Sequence, residues 1–268
     1  MKPRKIDYFD ILNEQALTIS VINQSYSSKV IAWLVHTFTA SGIVVALLAL
    51  LATERQDWRM AMFWLVIALA IDGIDGFFAR LFKVEQNLPF IQGKNIDYVV
   101  DFVNYAFIPA YMFFKAELVE DIWLFPLSTA ILLVSALYYG RASMVSDDKY
   151  FLGFPVLWNM VLFYYLFISN FESVHYVWIT VLICILHFVP IKMAYPSQND
   201  RNKFLTISVF ALFVLVILAA IYYYPSKPGW IPITAYLILG YFIVLTILDT
   251  FFNPTGKENS SSGQQFSQ

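Results

Sequence analysis

Asp72-Gly73-Ile74-Asp75-Gly76-Phe77-Phe78-Ala79-Arg80 is followed, after twelve residues, by Gly93-Lys94-Asn95-Ile96-Asp97-Tyr98-Val99-Val100-Asp101. The first stretch closes a long apolar run, residues 58–81, and the second opens another, residues 96–115. About 20 apolar residues in a helix cross the ~30 Å hydrocarbon core of a bilayer, so both runs read as spans. A carboxylate at the centre of such a helix costs roughly 2.5–3.5 kcal/mol. Acids kept there against that cost mark a functional site, and here four of them recur at helical spacing.

The rest of the chain fits that reading. It has 268 residues, 59% hydrophobic and 13% charged. A soluble domain carries about 25% charged residues. Spanning runs occur over residues 30–53, 58–81, 96–115, 122–142, 152–170, 174–193, 204–224 and 230–252. The sequence therefore predicts an all-α polytopic membrane bundle of about eight transmembrane helices. Gly153 and Pro155 allow the fifth to start late. Residues 29–253 read as one membrane domain. Residues 1–28 mix Ile6, Tyr8, Phe9, Ile11, Leu12, Leu17 and Ile19 with charges, as in an amphipathic helix on the cytoplasmic membrane surface. Residues 254–268, rich in Ser and Gln, read as a disordered tail. A net charge of −2 argues against a nucleic-acid partner, and the lone Cys184 excludes an internal disulfide.

Lys and Arg set the orientation. With eight spans and both termini on one side, that side collects 13 of the 17 basic residues and the other only Arg55, Arg59, Lys115 and Lys227. The positive-inside rule makes the rich side cytoplasmic. All four aspartates then lie at the cytoplasmic ends of the second and third helices, where nucleotides are available.

Asp72, Asp75, Gly76, Ala79 and Arg80 follow at steps of three and four and share one stripe. Gly93, Asp97 and Asp101 share another, at steps of ~6 Å of rise. If the stripes face each other, like charges crowd into a poorly solvated place and need a positive partner. Arg80 alone is insufficient. Carboxylate oxygens suit hard divalent cations, Mg²⁺ or Mn²⁺, and the absence of His and Cys from the cluster argues against zinc. Gly76, Ala79 and Gly93 would let a flat ligand approach the backbone, or serve close helix packing. A divalent-cation transporter is an alternative, although no ladder of acids leads to the opposite face.

The pattern Asp-x-x-Asp-Gly-x-x-Ala-Arg followed by Gly-x-x-x-Asp-x-x-x-Asp resembles the signature of the CDP-alcohol phosphotransferase family, with every position filled. Only the connection between the halves, residues 81–92, is longer than usual, which offers a lid or a membrane-surface contact. The resemblance implies that Asp72, Asp75, Asp97 and Asp101 hold two Mn²⁺ or Mg²⁺ ions. It implies that Asp101 is the general base, that Gly76, Ala79 and Gly93 admit the cytidine, and that Arg80 contacts the diphosphate. A homodimer is expected on the same ground.

Further stretches are similar to the bacterial phosphatidylcholine synthases of that family. They begin at Ala32-Trp33-Leu34-Val35-His36, Asp101-Phe102-Val103-Asn104-Tyr105, Tyr150-Phe151-Leu152-Gly153-Phe154 and Phe188-Val189-Pro190. This implies transfer of the phosphatidyl group from CDP-diacylglycerol to choline with release of CMP, in a bacterial inner membrane. The quaternary ammonium of choline favours aromatic faces. Tyr105, one turn beyond Asp101, and Trp158 are the preferred pair among many aromatics. Arg141 could bind a lipid phosphate or act only as a topology determinant. It would equally clamp a serine carboxylate, so serine stays open as an acceptor. His36 and His187 read as helix-packing histidines, and Asp249 as reaching water near the last helix end.

Overall fold

The structure, a computed structural model, describes residues 26–141, 150–194 and 203–252. Helix α1, Tyr26–Glu54, has a turn at Ser41. It is followed by α2, Trp58–Leu81, which starts where the Asp57 carboxylate accepts the Met60 N–H at 3.1 Å. A single-turn α3, Val84–Asn87, precedes α4, Gly93–Phe102. The chain then runs through a π-helical turn, Val103–Phe107, into α5, Ile108–Ala116. Helix α6 is Asp121–Tyr139, α7 is Trp158–Phe163 extended by a π-helical turn, Tyr164–Ile168, and α8 is Ser173–Leu186. Helices α9, Lys203–Tyr223, and α10, Trp230–Phe251, close the order.

Five of these helices, α1, α2, α6, α9 and α10, are long and apolar enough to cross a membrane. Their outward faces carry large apolar side chains such as Leu47, Phe125, Leu215 and Leu237, each more than half exposed. So much uncovered apolar surface suits lipid rather than water. The inward faces of α1 and α2 are lined by Ala46, Ala49 and Ala61, all almost fully buried. Small residues let the two backbones approach closely, the main source of helix association in lipid.

The third predicted span is helical from Gly93 to Ala116, but its hydrogen bonding shifts by one residue in the middle. Pro109 has no N–H for the Tyr105 carbonyl four residues back. Instead the Ile108 N–H bonds to the Val103 carbonyl, five back. The fifth and sixth spans are shorter than predicted. A strand β1, Tyr150–Leu152, stands where the fifth should begin, and pairs antiparallel with β2, Lys192–Ala194, where the sixth should end. The physical reason is local. Gly153 has φ +89°, and a Cβ there would run into the His187 carbonyl. Pro155 and Pro190 remove two further donors. The all-α expectation holds, with this small ladder beside the helices of the described residues.

Two expectations fall at the margins. Residues 1–25 of the predicted surface helix, and the tail 254–268, lie outside the described residues. Tyr26 to Ser28 already belong to α1. Asp249 does not reach water: it is buried in α10, beside Thr250, whose hydroxyl accepts the Lys192 N–H of β2 at 2.9 Å.

Trp158 opens α7 and is fully buried. Its indole N–H donates to Ser135 Oγ of α6 at 3.1 Å, and its ring stacks on His187 with centroids 5.5 Å apart. Truncating so large a buried ring leaves a cavity. Trp158→Ala is expected to destabilise the protein by about 3–5 kcal/mol, read as a fall in thermal midpoint in detergent.

Candidate carboxylate centre

The acids come from two helices that the connection 81–92 turns back on each other. Asp72 sits about two and a half turns from the end of α2, and Asp97 and Asp101 sit about one turn apart on α4. One carboxylate oxygen from each of Asp72, Asp97 and Asp101 can be chosen so that the three lie within 4.8 Å of one another. All three residues are half-buried. Asp75 is not in this trio. It is buried on the same stripe of α2, beside the Thr39 hydroxyl of α1, near the Arg80 charge, and in the electrostatic reach of Asp97 and Asp101.

Second-layer contacts hold these side chains. The Tyr105 hydroxyl, in the π-helical turn, donates to Asp72 Oδ2 at 2.7 Å. That bond ties the π-helical turn after α4 to α2 across the centre. Tyr105 itself is only 4% exposed, so its ring is enclosed by protein. On α1, Gly42 allows close approach to α4: a Cβ there would lie 2.5 Å from Val100 Cγ1. The Asn104 amide then donates to the Gly42 carbonyl at 3.2 Å.

The small residues have distinct surroundings. A Cβ on Gly93 would meet the His36 ring at 3.0 Å, and one on Gly76 would meet Arg80 Nη1 at 3.3 Å. The His36 ring therefore packs against Gly93, and its Nε2 is buried without a hydrogen-bond partner. The connection 81–92 is more than a loop. Through Val84 and Leu88 it packs on Ala32 and Val35 of α1 and on Phe78 and Ala79 of α2. Arg141 lies away from α2 and α4 in its contacts: its guanidinium donates to the carbonyls of His187 at 3.0 Å and Leu152 at 3.2 Å, and lies over the Tyr138 ring. It fastens the chain around β1 to the end of α8. Trp158 likewise spends its contacts on Ser135 and His187.

Three acid oxygens this close repel strongly. A pair of unit charges 4 Å apart costs ~4 kcal/mol at an effective dielectric of 20. The donor set is all carboxylate, which fits hard divalent cations and offers zinc no His or Cys.

Residues 29–189 match the family model described as CDP-alcohol phosphatidyltransferase. The chain belongs to that family. The match includes every residue of the carboxylate centre and stops before α9 and α10. Among curated proteins, the chain is similar to the phosphatidylcholine synthase of Borreliella burgdorferi, 35% identical over 83% of this chain and 94% of that one. It is also similar to that of Rhizobium meliloti, 31% identical over 86% of this chain and 95% of that one. The phosphatidylcholine synthase of Pseudomonas aeruginosa is 35% identical over 71% and 79%. Phosphatidyltransfer in the family needs divalent metal, and the carboxylate trio is a donor set of the right kind.

Several residues around this phosphatidyltransferase centre carry no signal in the sequence. Thr39 and Asn104 are ordinary polar residues of apolar helices until α1 is packed against α2 and α4. Tyr139, at the end of α6, is one of 17 tyrosines. Its hydroxyl lies within the field of Asp101, Asp72 and Asp97.

Proposed function

We propose that this protein transfers the phosphatidyl group from CDP-diacylglycerol to choline, releasing CMP and forming phosphatidylcholine. The observation that carries the reading is the convergence of Asp72, Asp97 and Asp101 in a member of the CDP-alcohol family. The names of its relatives point to choline as acceptor.

In this reading Asp72, Asp75, Asp97 and Asp101 would hold two divalent cations, Mn²⁺ or Mg²⁺. When bound, such ions neutralise a diphosphate and stabilise the departing CMP. Asp101 takes the proton of the choline hydroxyl as oxygen attacks phosphorus. In the same reading Arg80 pairs with the diphosphate, and Gly76, Ala79 and Gly93 are the small residues that would admit cytidine, with the His36 ring against Gly93 and the Val84–Leu88 cluster against Ala79. Tyr105 serves the cations through Asp72, which it orients, and its enclosed ring does not favour contact with choline. The enclosure of Trp158 favours a packing part for it over direct contact with choline. The carbonyl contacts of Arg141 favour the structural alternative over a phosphate contact.

The spanning count of eight takes in the helical stretches from Gly93 to Ala116, Trp158–Ile168 and Ser173–Leu186 beside the five long helices. With that count the basic residues favour termini and an active site that face the cytoplasm, and the bacterial relatives favour an inner membrane. The Glu54–Lys115 ion pair, 3.6 Å, would then lie on the opposite side. Homodimeric assembly rests on the family resemblance alone.

The test is incubation of the purified protein with CDP-diacylglycerol, Mn²⁺ and labelled choline, and in parallel with serine, inositol and glycerol phosphate. CMP release with label entering lipid only from choline is the expected result. Transfer to serine instead keeps the chemistry and overturns the acceptor. Divalent-cation flux in liposomes without CMP release would favour a transporter. A second expectation concerns Tyr105→Phe. Losing the bond that orients Asp72 should weaken Mn²⁺ activation by about 10–100-fold, read from the Mn²⁺ dependence of CMP release. Unchanged Mn²⁺ dependence would remove Tyr105 from the centre.

A further inference from the structure

We propose that Tyr139, backed by Tyr98 and Phe102, forms the aromatic wall that receives the quaternary ammonium of the acceptor. The inference rests on the choline reading and deepens it, since neither aromatic residue picked out in the sequence has a ring free for the part. Tyr105 is enclosed and bonded to Asp72, and Trp158 is sealed between Ser135 and His187.

Tyr98 and Phe102 are one turn apart on α4, on the stripe next to Asp97 and Asp101. Both rings meet Tyr139 at the end of α6: Tyr98 at a centroid distance of 5.6 Å, tilted by 56°, and Phe102 at 6.2 Å, edge-on at 75°. The three side chains therefore form one continuous wall flanking the carboxylates. All three are half-buried, so the wall is neither sealed in the core nor spread on the lipid face. Tyr139 also lies within the field of Asp101, Asp72 and Asp97.

The chemistry of the acceptor demands this proximity. In choline the cationic nitrogen and the reacting hydroxyl are separated by two carbons. A site that brings the hydroxyl to Asp101 must hold the nitrogen close by. A quaternary nitrogen donates no N–H hydrogen bond, so ring faces and nearby carboxylates are what can hold it. The wall already accepts an ammonium group: Lys94 Nζ lies 5.2 Å from the centre of the Tyr98 ring. The exposed Lys94 is on the same helix, one turn before Tyr98.

The experiment is steady-state kinetics of the full chain with CDP-diacylglycerol, Mn²⁺ and choline, comparing Tyr139→Ala and Tyr139→Phe with the unaltered protein. Tyr139→Ala should raise the choline KM by about 10-fold, the order of one desolvated cation–π contact. The KM for CDP-diacylglycerol should stay within about twofold, and Tyr139→Phe, which keeps the ring, should keep the choline KM. Inhibition by 3,3-dimethylbutanol, the neutral isostere of choline, supplies the second readout. The unaltered protein should prefer the cation, and Tyr139→Ala should lose that preference. Tyr98→Ala, which removes the backing ring from the other helix, should move the choline KM in the same direction if Tyr139→Ala fails to fold. A choline KM unmoved in both alanine variants overturns the wall. A loss in Tyr139→Phe equal to that in Tyr139→Ala assigns the role to the hydroxyl and overturns it too. No transfer to choline by the unaltered protein refutes the acceptor reading, and the wall with it.

Discussion

Asp101→Asn should lower turnover by about 10²–10⁴-fold while leaving CDP-diacylglycerol binding largely intact. The amide has the shape of the carboxylate and keeps one oxygen acceptor, but it cannot take a proton. Asp101 sits one turn beyond Asp97, with an oxygen in the trio and the aromatic residues of α4 and α6 on its flank. In the proposed reading it is therefore the acid that meets both the acceptor and the cations. CMP release measures the chemical step, and retention of the CDP-lipid on the immobilised variant measures binding. A variant that keeps more than about a tenth of the rate would mean another group is the base, since general-base catalysis contributes at least 10²-fold. Loss of CDP-lipid binding together with rate would mean that Asp101 acts chiefly through the cations.

Removal of divalent cations should have an effect of similar size. Chelation is expected to abolish CMP release, and Mn²⁺ or Mg²⁺ to restore it. The same ions should stabilise the folded protein, because they relieve repulsion among Asp72, Asp97 and Asp101. An ion that binds only the native state at 100 times its Kd contributes about 2.7 kcal/mol. That corresponds to a rise in thermal midpoint on the order of 5 °C or more. Asp97→Ala removes one donor and should lose most of this rise even where activity is not measured. A midpoint indifferent to Mn²⁺ in the unaltered protein would sink the metal centre independently of any assay of transfer.

What could be read along the chain was everything that depends on local periodicity. The apolar runs announced helices because a chain in lipid must satisfy its own backbone hydrogen bonds. Asp72, Asp75, Asp97 and Asp101 stood out because their cost in that setting is high and their spacing is that of a helix face. Hydropathy makes the fifth and sixth spans too long where backbone donors are missing or φ is positive. Gly153, Pro155 and Pro190 replace helix with the β1–β2 ladder, and hydropathy is blind to that.

Packing between helices distant in sequence decided the remainder. Whether an aspartate joins the trio depends on the rotation of α2 against α4. The same acidic stripe sends Asp72 to Asp97 and Asp101, and Asp75 towards Thr39 and Arg80. Which of the aromatics serve the site was equally hidden, since an aromatic residue has the same local signature in a core, at a lipid interface or beside a ligand. Trp158 became a core residue because α6 and α8 supply Ser135 and His187 around it. Tyr105 became a carboxylate holder because the π-helical turn aims it at Asp72, and Tyr139 reaches the centre only because α6 ends against α4. A one-dimensional pattern records which face of a helix a residue occupies; its partner across the bundle exists only once the helices are packed.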